Sequence, residues 1–115
     1  APEAGETVVG DSYNTYLGGK GANQAVASAR LGGGVVMCGC VGNDGFGEDA
    51  LNAFKKEGID VQNVKKIDGV ATGTAVIIIE NGDNRIILDK GANACLTEND
   101  IDKMLELIYY IINII

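Results

Sequence analysis

The sequence has no histidine, only three cysteines and a single proline in 115 residues. A zinc site of Cys and His ligands needs a second ligand pair beside Cys38 and Cys40, and Cys95 is distant along the chain. Cys38 and Cys40 face the same side of a predicted strand, too far apart for a relaxed disulfide. We therefore expect no metal site, and three buried, reduced thiols of the kind found in cytoplasmic proteins.

Positive charge is also scarce, with nine Lys and Arg against sixteen Asp and Glu and a net charge of -7. Nucleic acids require clustered basic residues, and only the pairs Lys55-Lys56 and Lys65-Lys66 occur, so we expect no nucleic-acid partner. The first ten residues lack the basic and apolar regions of a signal peptide. No apolar run reaches membrane-spanning length, so we expect no membrane partner.

Glycine is abundant, at 17 residues without a fixed period, which indicates many tight turns in one small domain. The apolar spacing and the turn residues predict the order of elements. The predicted strands lie at 7–9, 12–17, 35–41, 59–67, 72–80, 85–89 and 108–115, and the predicted helices at 22–31, 48–57 and 98–107.

Several local signals support these boundaries. The apolar run 35–41 is typical of a strand covered on both faces, and Gly58 suits a helix C-terminus. The Asn81-Gly82 pair between β-branched runs predicts a hairpin. Thr97 and Asp100 resemble a capping box. Helices that alternate with apolar strands predict a parallel α/β sheet, and the hairpin pieces should lie off that sheet.

A Gly-rich corner that runs into a helix, from Leu17 to Ala25, is the stretch most informative about chemistry. Such a corner exposes backbone N–H groups at the positive end of a helix. Its spacing fits neither a Walker A loop nor a dinucleotide-binding loop. Asn23 offers a donor and an acceptor, which suits a sugar hydroxyl. The alternative is a packing corner in which Lys20 is solvated and Asn23 caps the helix.

Asp44 and Glu48 lie four residues apart where a predicted loop, 42–47, enters the second helix. Two carboxylates at this spacing form a candidate cation site. The alternative is that they cap the helix and interact favourably with its dipole, which is the more frequent role of such residues at a helix start.

The segment Gly18–Ala25, with Gly32 seven residues later and Gly42 ten beyond it, resembles the first signature of the ribokinase-like (PfkB) carbohydrate kinases. The resemblance extends through VGNDGFGEDALNAFKKEGID and TGTAVIIIENGDNRIILDKGANACLT and covers nearly the whole chain. It implies an α/β fold in which a parallel sheet is flanked by helices and carries a small β-sheet lid. The lid strands would lie at about 6–17 and 72–89, and the core at about 18–71 and 90–115.

The resemblance also implies where the sugar binds. The ribose pocket would be lined by Gly19, Lys20, Gly21, Ala22 and Asn23, with the amide of Asn23 bonded to sugar hydroxyls. A further pair of residues in the lid, Ala75 and Leu88, would close over the sugar. The lids of two subunits would pack together, which makes a homodimer the expected assembly.

The implied reaction is the ATP-dependent phosphorylation of D-ribose at its C5 hydroxyl, giving D-ribose 5-phosphate, with Mg²⁺ and a monovalent cation such as K⁺. The family's general base, anion hole, nucleotide site and cation site match nothing in this sequence, so we expect them outside it and assign no catalytic residue or metal ligand here. Two alternatives remain open: another sugar or nucleoside kinase of the family, or a sugar-binding or dimerisation module without catalysis.

Overall fold

The computed structural model describes residues 1–105, and two separate two-stranded sheets organise them. In chain order the elements are α1 (Lys20–Arg30), β1 (Val36–Gly42), α2 (Gly45–Lys56), β2 (Asp60–Ile67), β3 (Thr74–Glu80), β4 (Asp83–Asp89), a 3₁₀ helix η1 (Gly91–Cys95) and a helix α3 over 98–105. The strand predicted at 108–115 lies outside the described residues. Within residues 1–105, every helix is too short or too polar to cross a membrane.

The first sheet is a parallel pair, β1 and β2, joined through α2. Cys40 lies opposite Lys65 and Val41 opposite Lys66 in the register. A parallel pair joined through a helix confirms the predicted α/β architecture. Gly58, at φ 75°, follows the end of α2 as predicted, because glycine adopts this backbone conformation without steric cost.

The core lies between this sheet and the two long helices. Its buried members are Ala22, Ala25, Val41, Ala50, Leu51, Phe54 and Ile59. Alternation along β1 turns Val41 towards this core and Cys40 towards the opposite face, where η1 packs and Ala92 is fully buried. The C-terminal half of β1 is therefore covered on both faces, as predicted, whereas residues 36–39 are half-buried.

Both long helices begin earlier than predicted. Helix α1 begins at Lys20, two residues before the predicted start. Helix α2 begins at Gly45, three residues before it, so the second half of the predicted loop 42–47 is helical. The cause in α2 is Asp44, whose carboxylate accepts a hydrogen bond from the Gly47 N–H at 2.8 Å and so opens the helix.

The second sheet is the antiparallel hairpin of β3 and β4, which pairs with no other strand among residues 1–105. Its turn is Asn81-Gly82, and both residues have positive φ, 52° and 79°, as a type I′ turn requires. The prediction of a hairpin outside the main sheet is confirmed for this segment.

The prediction of a strand pair at 6–17 is wrong for this chain. Residues 1–19 form neither helix nor strand, and every one of them is exposed. Thr7–Val9 and Ser12–Leu17 have the composition of strands, but no other strand of the described part pairs with them. An isolated pair of short strands is at best marginally stable in water, so composition alone does not produce a sheet here.

The capping box at the start of α3 is confirmed, and it gives a prediction about acid stability. The Thr97 N–H donates to Asp100 at 2.9 Å, and Lys65 reaches the other oxygen of Asp100 at 2.8 Å. Lys65, followed by the backbone and hydroxyl of Thr97, lowers the pKa of Asp100 from 3.8 to about 2. Because the folded pKa is depressed, this stabilisation is present above about pH 4 and is lost as the pH falls towards 2.

We expect Asp100→Asn to lower the free energy of unfolding at pH 7, because the neutral amide keeps an acceptor for Thr97 but loses the attraction of Lys65. The difference from wild type should shrink between pH 4 and pH 2, where the wild-type carboxylate becomes protonated. Urea unfolding of both proteins at pH 7, 4 and 2.5 measures it. A difference that stays constant over this range would contradict the assignment.

Candidate functional site

The Gly-rich corner before α1 is open to the solvent. Gly19 is the N-cap residue of α1, with φ 97° and ψ 140°, a conformation that glycine adopts far more easily than other residues. A Cβ placed on Gly18 or Gly19 would have no atom within 4 Å. These glycines therefore do not serve close packing within residues 1–105, and the backbone stays accessible to a small ligand.

The first turn of α1 presents unbonded N–H groups. Its first backbone bond runs from the Asn23 N–H to the Gly19 carbonyl at 2.9 Å, so the N–H groups of Lys20, Gly21 and Ala22 precede it. No side chain of the described residues caps them, and no acidic residue lies in this turn. The corner thus offers several donors at the positive end of a helix, which suits hydroxyl or anionic oxygens.

The side chains of the predicted pocket segment divide between two environments. Ala22 is 8% exposed and belongs to the core, so only its backbone is available to a ligand. Lys20 and Asn23 are exposed. Asn23 lines a groove of about 510 Å³ between α1 and α2, whose other lining residues are Leu17, Val26, Ala27, Arg30, Ala53 and Glu57.

The structure decides against Asn23 as a helix cap. The N-cap position belongs to Gly19, and Asn23 lies one turn further along α1, where its side-chain amide makes no hydrogen bond within the described residues. The side chain is therefore available to exchange hydrogen bonds with a ligand, as a sugar contact requires.

Ala75 and Leu88 lie directly opposite each other in the register of β3 and β4. They share one face of the hairpin with Ile77, Ile79 and Ile86, and these four larger apolar side chains are each more than half exposed. Because the hairpin face and the corner before α1 are both exposed, they do not enclose a cavity in this structure. The two parts of the predicted site are thus formed but not brought together.

Asp44 and Glu48 are engaged with the protein itself, in agreement with the capping interpretation. Asp44 accepts from the Thr72 hydroxyl at 2.6 Å, the Thr72 N–H at 2.8 Å and the Gly47 N–H at 2.8 Å. These bonds, that of the Thr72 hydroxyl first, lower the pKa of the Asp44 carboxyl. Glu48 pairs with Lys66 at 2.8 Å. Residues 1–105 contain no group of three or more His, Cys, Asp or Glu side chains able to hold a metal ion.

The three cysteines are unbonded thiols, as predicted. The prediction that all three are buried is correct only for Cys40, at 5% exposure, because Cys38 and Cys95 are half-buried. Burial raises the pKa of the Cys40 thiol, so it stays protonated near neutral pH and is a poor nucleophile.

Comparison with known proteins decides the family. The sequence profile described as pfkB family carbohydrate kinase matches residues 1–110. The chain belongs to this family. Ribokinase of Schizosaccharomyces pombe is 54% identical over 99 residues, which are 80% of this chain and 31% of that protein.

Solved structures give the same result for the fold. Ribokinase from Giardia lamblia superposes with a TM-score of 0.81 at 33% identity, covering 92% of this chain and 35% of that one. Arabidopsis thaliana ribokinase, solved in complex with ribose and ATP, gives a TM-score of 0.76 at 34% identity, covering 81% of this chain and 31% of that one. The predicted ribokinase-like fold is confirmed. The chain spans about a third of the length of the relatives it matches.

Proposed function

We propose that the whole protein carrying this chain transfers the γ-phosphoryl group of ATP to the C5 hydroxyl of D-ribose. The observation that carries the proposal is the open corner Gly19–Asn23, a set of sugar-binding groups in a chain closely similar to a ribokinase. This stretch binds and orients the sugar. Holding a reactant in place contributes several kcal/mol, on the order of 7–11 at best, to lowering a barrier.

The chemistry of the corner supports a sugar ligand. A hydroxyl donates one hydrogen bond and accepts others, and the Asn23 amide provides both partners. The unbonded N–H groups of Lys20, Gly21 and Ala22 add donors on rigid backbone. Gly19 gives access without a side chain in the way. We propose that these five residues line the ribose pocket.

The hairpin supplies the other wall in this proposal. Its apolar face carries Ala75 and Leu88, which would cover the less polar side of the sugar and exclude water from the transferred group. Exposed apolar surface of this kind is also typical of protein interfaces. We therefore propose that the hairpin is the lid, and that the lids of two subunits form the contact of a homodimer.

ATP, Mg²⁺ and K⁺ are proposed to bind outside the described residues. No acidic cluster within 1–105 fits a metal ion, and Asp44 uses its carboxylate oxygens for Thr72 and Gly47. The general base is likewise proposed to lie elsewhere in the protein. In this proposal the stretch holds and covers the sugar and forms the subunit contact, and the groups that transfer the phosphoryl group lie elsewhere.

Steady-state kinetics of the purified whole protein test the function. With ATP and Mg²⁺ present, we expect D-ribose to be phosphorylated with a higher kcat/KM than 2-deoxyribose, hexoses or nucleosides. A hexose or nucleoside as the preferred substrate would refute ribose as the substrate and leave the kinase function intact. Absence of turnover with every sugar tested would refute the kinase function.

The 115-residue chain alone should have no ribose kinase activity, whether or not it binds the sugar. A general base typically contributes a factor of about 10²–10⁴ in rate, and anion stabilisation a factor of about 10²–10³. Both are proposed to come from outside this chain. Ribose-dependent ADP formation by the purified chain, above that of a heat-denatured sample, would refute this prediction.

A further inference from the structure

Close backbone contacts surround the segment that leads into β3, residues 70–73. Cβ atoms on four glycines would collide with atoms in or beside this segment. A Cβ on Gly42 would overlap Val70 and Thr72, and one on Gly91 would overlap Ala71 and the Gly73 nitrogen. Gly47 and Gly73 are similarly confined. The base of the hairpin is therefore held where β1, α2 and η1 meet.

A hydrogen-bond chain fixes the same point. The Thr72 hydroxyl accepts from the Gly42 N–H at 2.9 Å and donates to Asp44 at 2.6 Å. The Thr72 N–H donates to the other oxygen of Asp44 at 2.8 Å. The Ala71 carbonyl accepts from the Ala92 N–H at 2.8 Å, which joins the two ends of the hairpin. We call the three hydrogen bonds that Thr72 makes with Gly42 and Asp44 the hairpin clasp.

Capping α2 does not account for the hairpin clasp. The cap needs only one bond, that from the Gly47 N–H to Asp44. The two further bonds of Asp44 reach Thr72, 28 residues away, directly before Gly73 and β3. Hydrogen bonds to a carboxylate are stronger than those between neutral groups. Because Thr72 donates two of them to Asp44, the orientation of Thr72 is fixed as well.

We propose that Asp44 and Thr72 are positioning residues that set the direction in which the hairpin leaves the sheet and hence its placement over the sugar. This inference rests on the proposed function, in which the hairpin is the lid of the ribose pocket. Neither residue touches the sugar. They act through the backbone of Thr72 and Gly73, whose tight packing leaves little freedom to β3.

The test uses the whole protein with Thr72→Val and Thr72→Ser. Valine has the shape of threonine but cannot bond Gly42 or Asp44 through a hydroxyl, whereas serine keeps both bonds. We expect Thr72→Val to raise the KM for ribose about fivefold, because the hairpin would then be held less firmly over the sugar, with kcat and the KM for ATP within about twofold of wild type. Thr72→Ser should restore the wild-type KM.

A matched control is Lys66→Met, which removes the Lys66–Glu48 pair at the same corner without touching the hairpin clasp. Its kinetic constants should equal those of wild type. Amide hydrogen exchange of Gly42 shows whether the bond is lost, and we expect faster exchange in Thr72→Val alone. If that variant does not fold, Asp44→Asn replaces it, since asparagine still caps α2 but cannot accept from the Thr72 N–H as well.

The results separate the two proposals. Faster exchange at Gly42 with an unchanged KM for ribose would overturn the positioning role and leave the proposed function intact. Equal KM values in Thr72→Val and Lys66→Met, both raised, would also overturn it. Wild-type protein without ribose-dependent turnover would overturn the proposed function and the positioning role together.

Discussion

Asn23→Ala in the whole protein is expected to raise the KM for ribose about five- to 150-fold while leaving the KM for ATP nearly unchanged. Leaving sugar hydroxyls unpaired in a pocket costs about 1–3 kcal/mol each, which is the origin of this range. Asn23 lies in the open corner and is exposed, so its side chain is accessible to a ligand. The nucleotide site is proposed to lie outside this stretch, so it should not respond.

The position of Asn23 in the structure predicts that Asn23→Ala weakens ribose binding without lowering the stability of the protein. Asn23 occupies an exposed position inside α1, one turn after the N-cap, and alanine is the better helix former by several tenths of a kcal/mol. The melting temperature of Asn23→Ala should therefore be equal to or slightly above that of wild type. A helix cap replaced by alanine would lower it instead.

Gln24→Ala is the matched control, since it removes an exposed amide from the next position of the same helix. Its kinetics should match those of wild type. An unchanged KM for ribose in Asn23→Ala would refute the sugar contact. An equal rise in both variants would indicate that α1 as a whole had shifted.

Elements with a strong local signal were predictable from the sequence. The hairpin follows from Asn81-Gly82, because a two-residue turn with two positive φ angles selects this pair of residues. The start of α3 follows from Thr97 and Asp100, which satisfy each other's backbone groups at 2.9 and 3.3 Å. In both cases the deciding interactions lie within four residues along the chain.

Local composition wrongly predicted strands at 6–17, because a strand forms only beside a partner strand. Val8 and Val9 have high β propensity but stay exposed, since no other strand among residues 1–105 lies beside them. The early start of α2 has a similar explanation. The sequence marks Asp44 as a possible cap, but the helix start that it fixes, at Gly45, lies three residues before the first good helix former, Glu48.

The candidate site likewise has a part that is predictable from the sequence and a part that is not. The corner Gly19–Asn23 is contiguous, so its glycines and its amide could be found in the sequence. The direction of each side chain could not, and Ala22 faces the core rather than the ligand. The role of Thr72 is not predictable from the sequence, because its partners Gly42 and Asp44 are about thirty residues away and no spacing rule joins them.

Gly42→Ala should destabilise the whole protein by about 3 kcal/mol, the upper range for inserting a methyl group where there is no room. Gly42 is buried, and its Cβ would overlap the Val70 carbonyl and lie 2.5 Å from the Thr72 nitrogen. Both obstacles are backbone atoms, which cannot rotate away as a side chain would. Relief requires that residues 70–73 move, and this breaks the bonds of Thr72 to Gly42 and Asp44.

Gly45→Ala is the matched control, because it adds the same methyl group three residues away, where nothing lies within 4 Å. Gly45 begins α2, so alanine there should be neutral or stabilising by up to about 1 kcal/mol. Thermal unfolding of the two variants and wild type measures the difference. A Gly42→Ala protein as stable as Gly45→Ala would mean that residues 70–73 can withdraw from β1 without loss, and the hairpin clasp would then not hold the base of the hairpin.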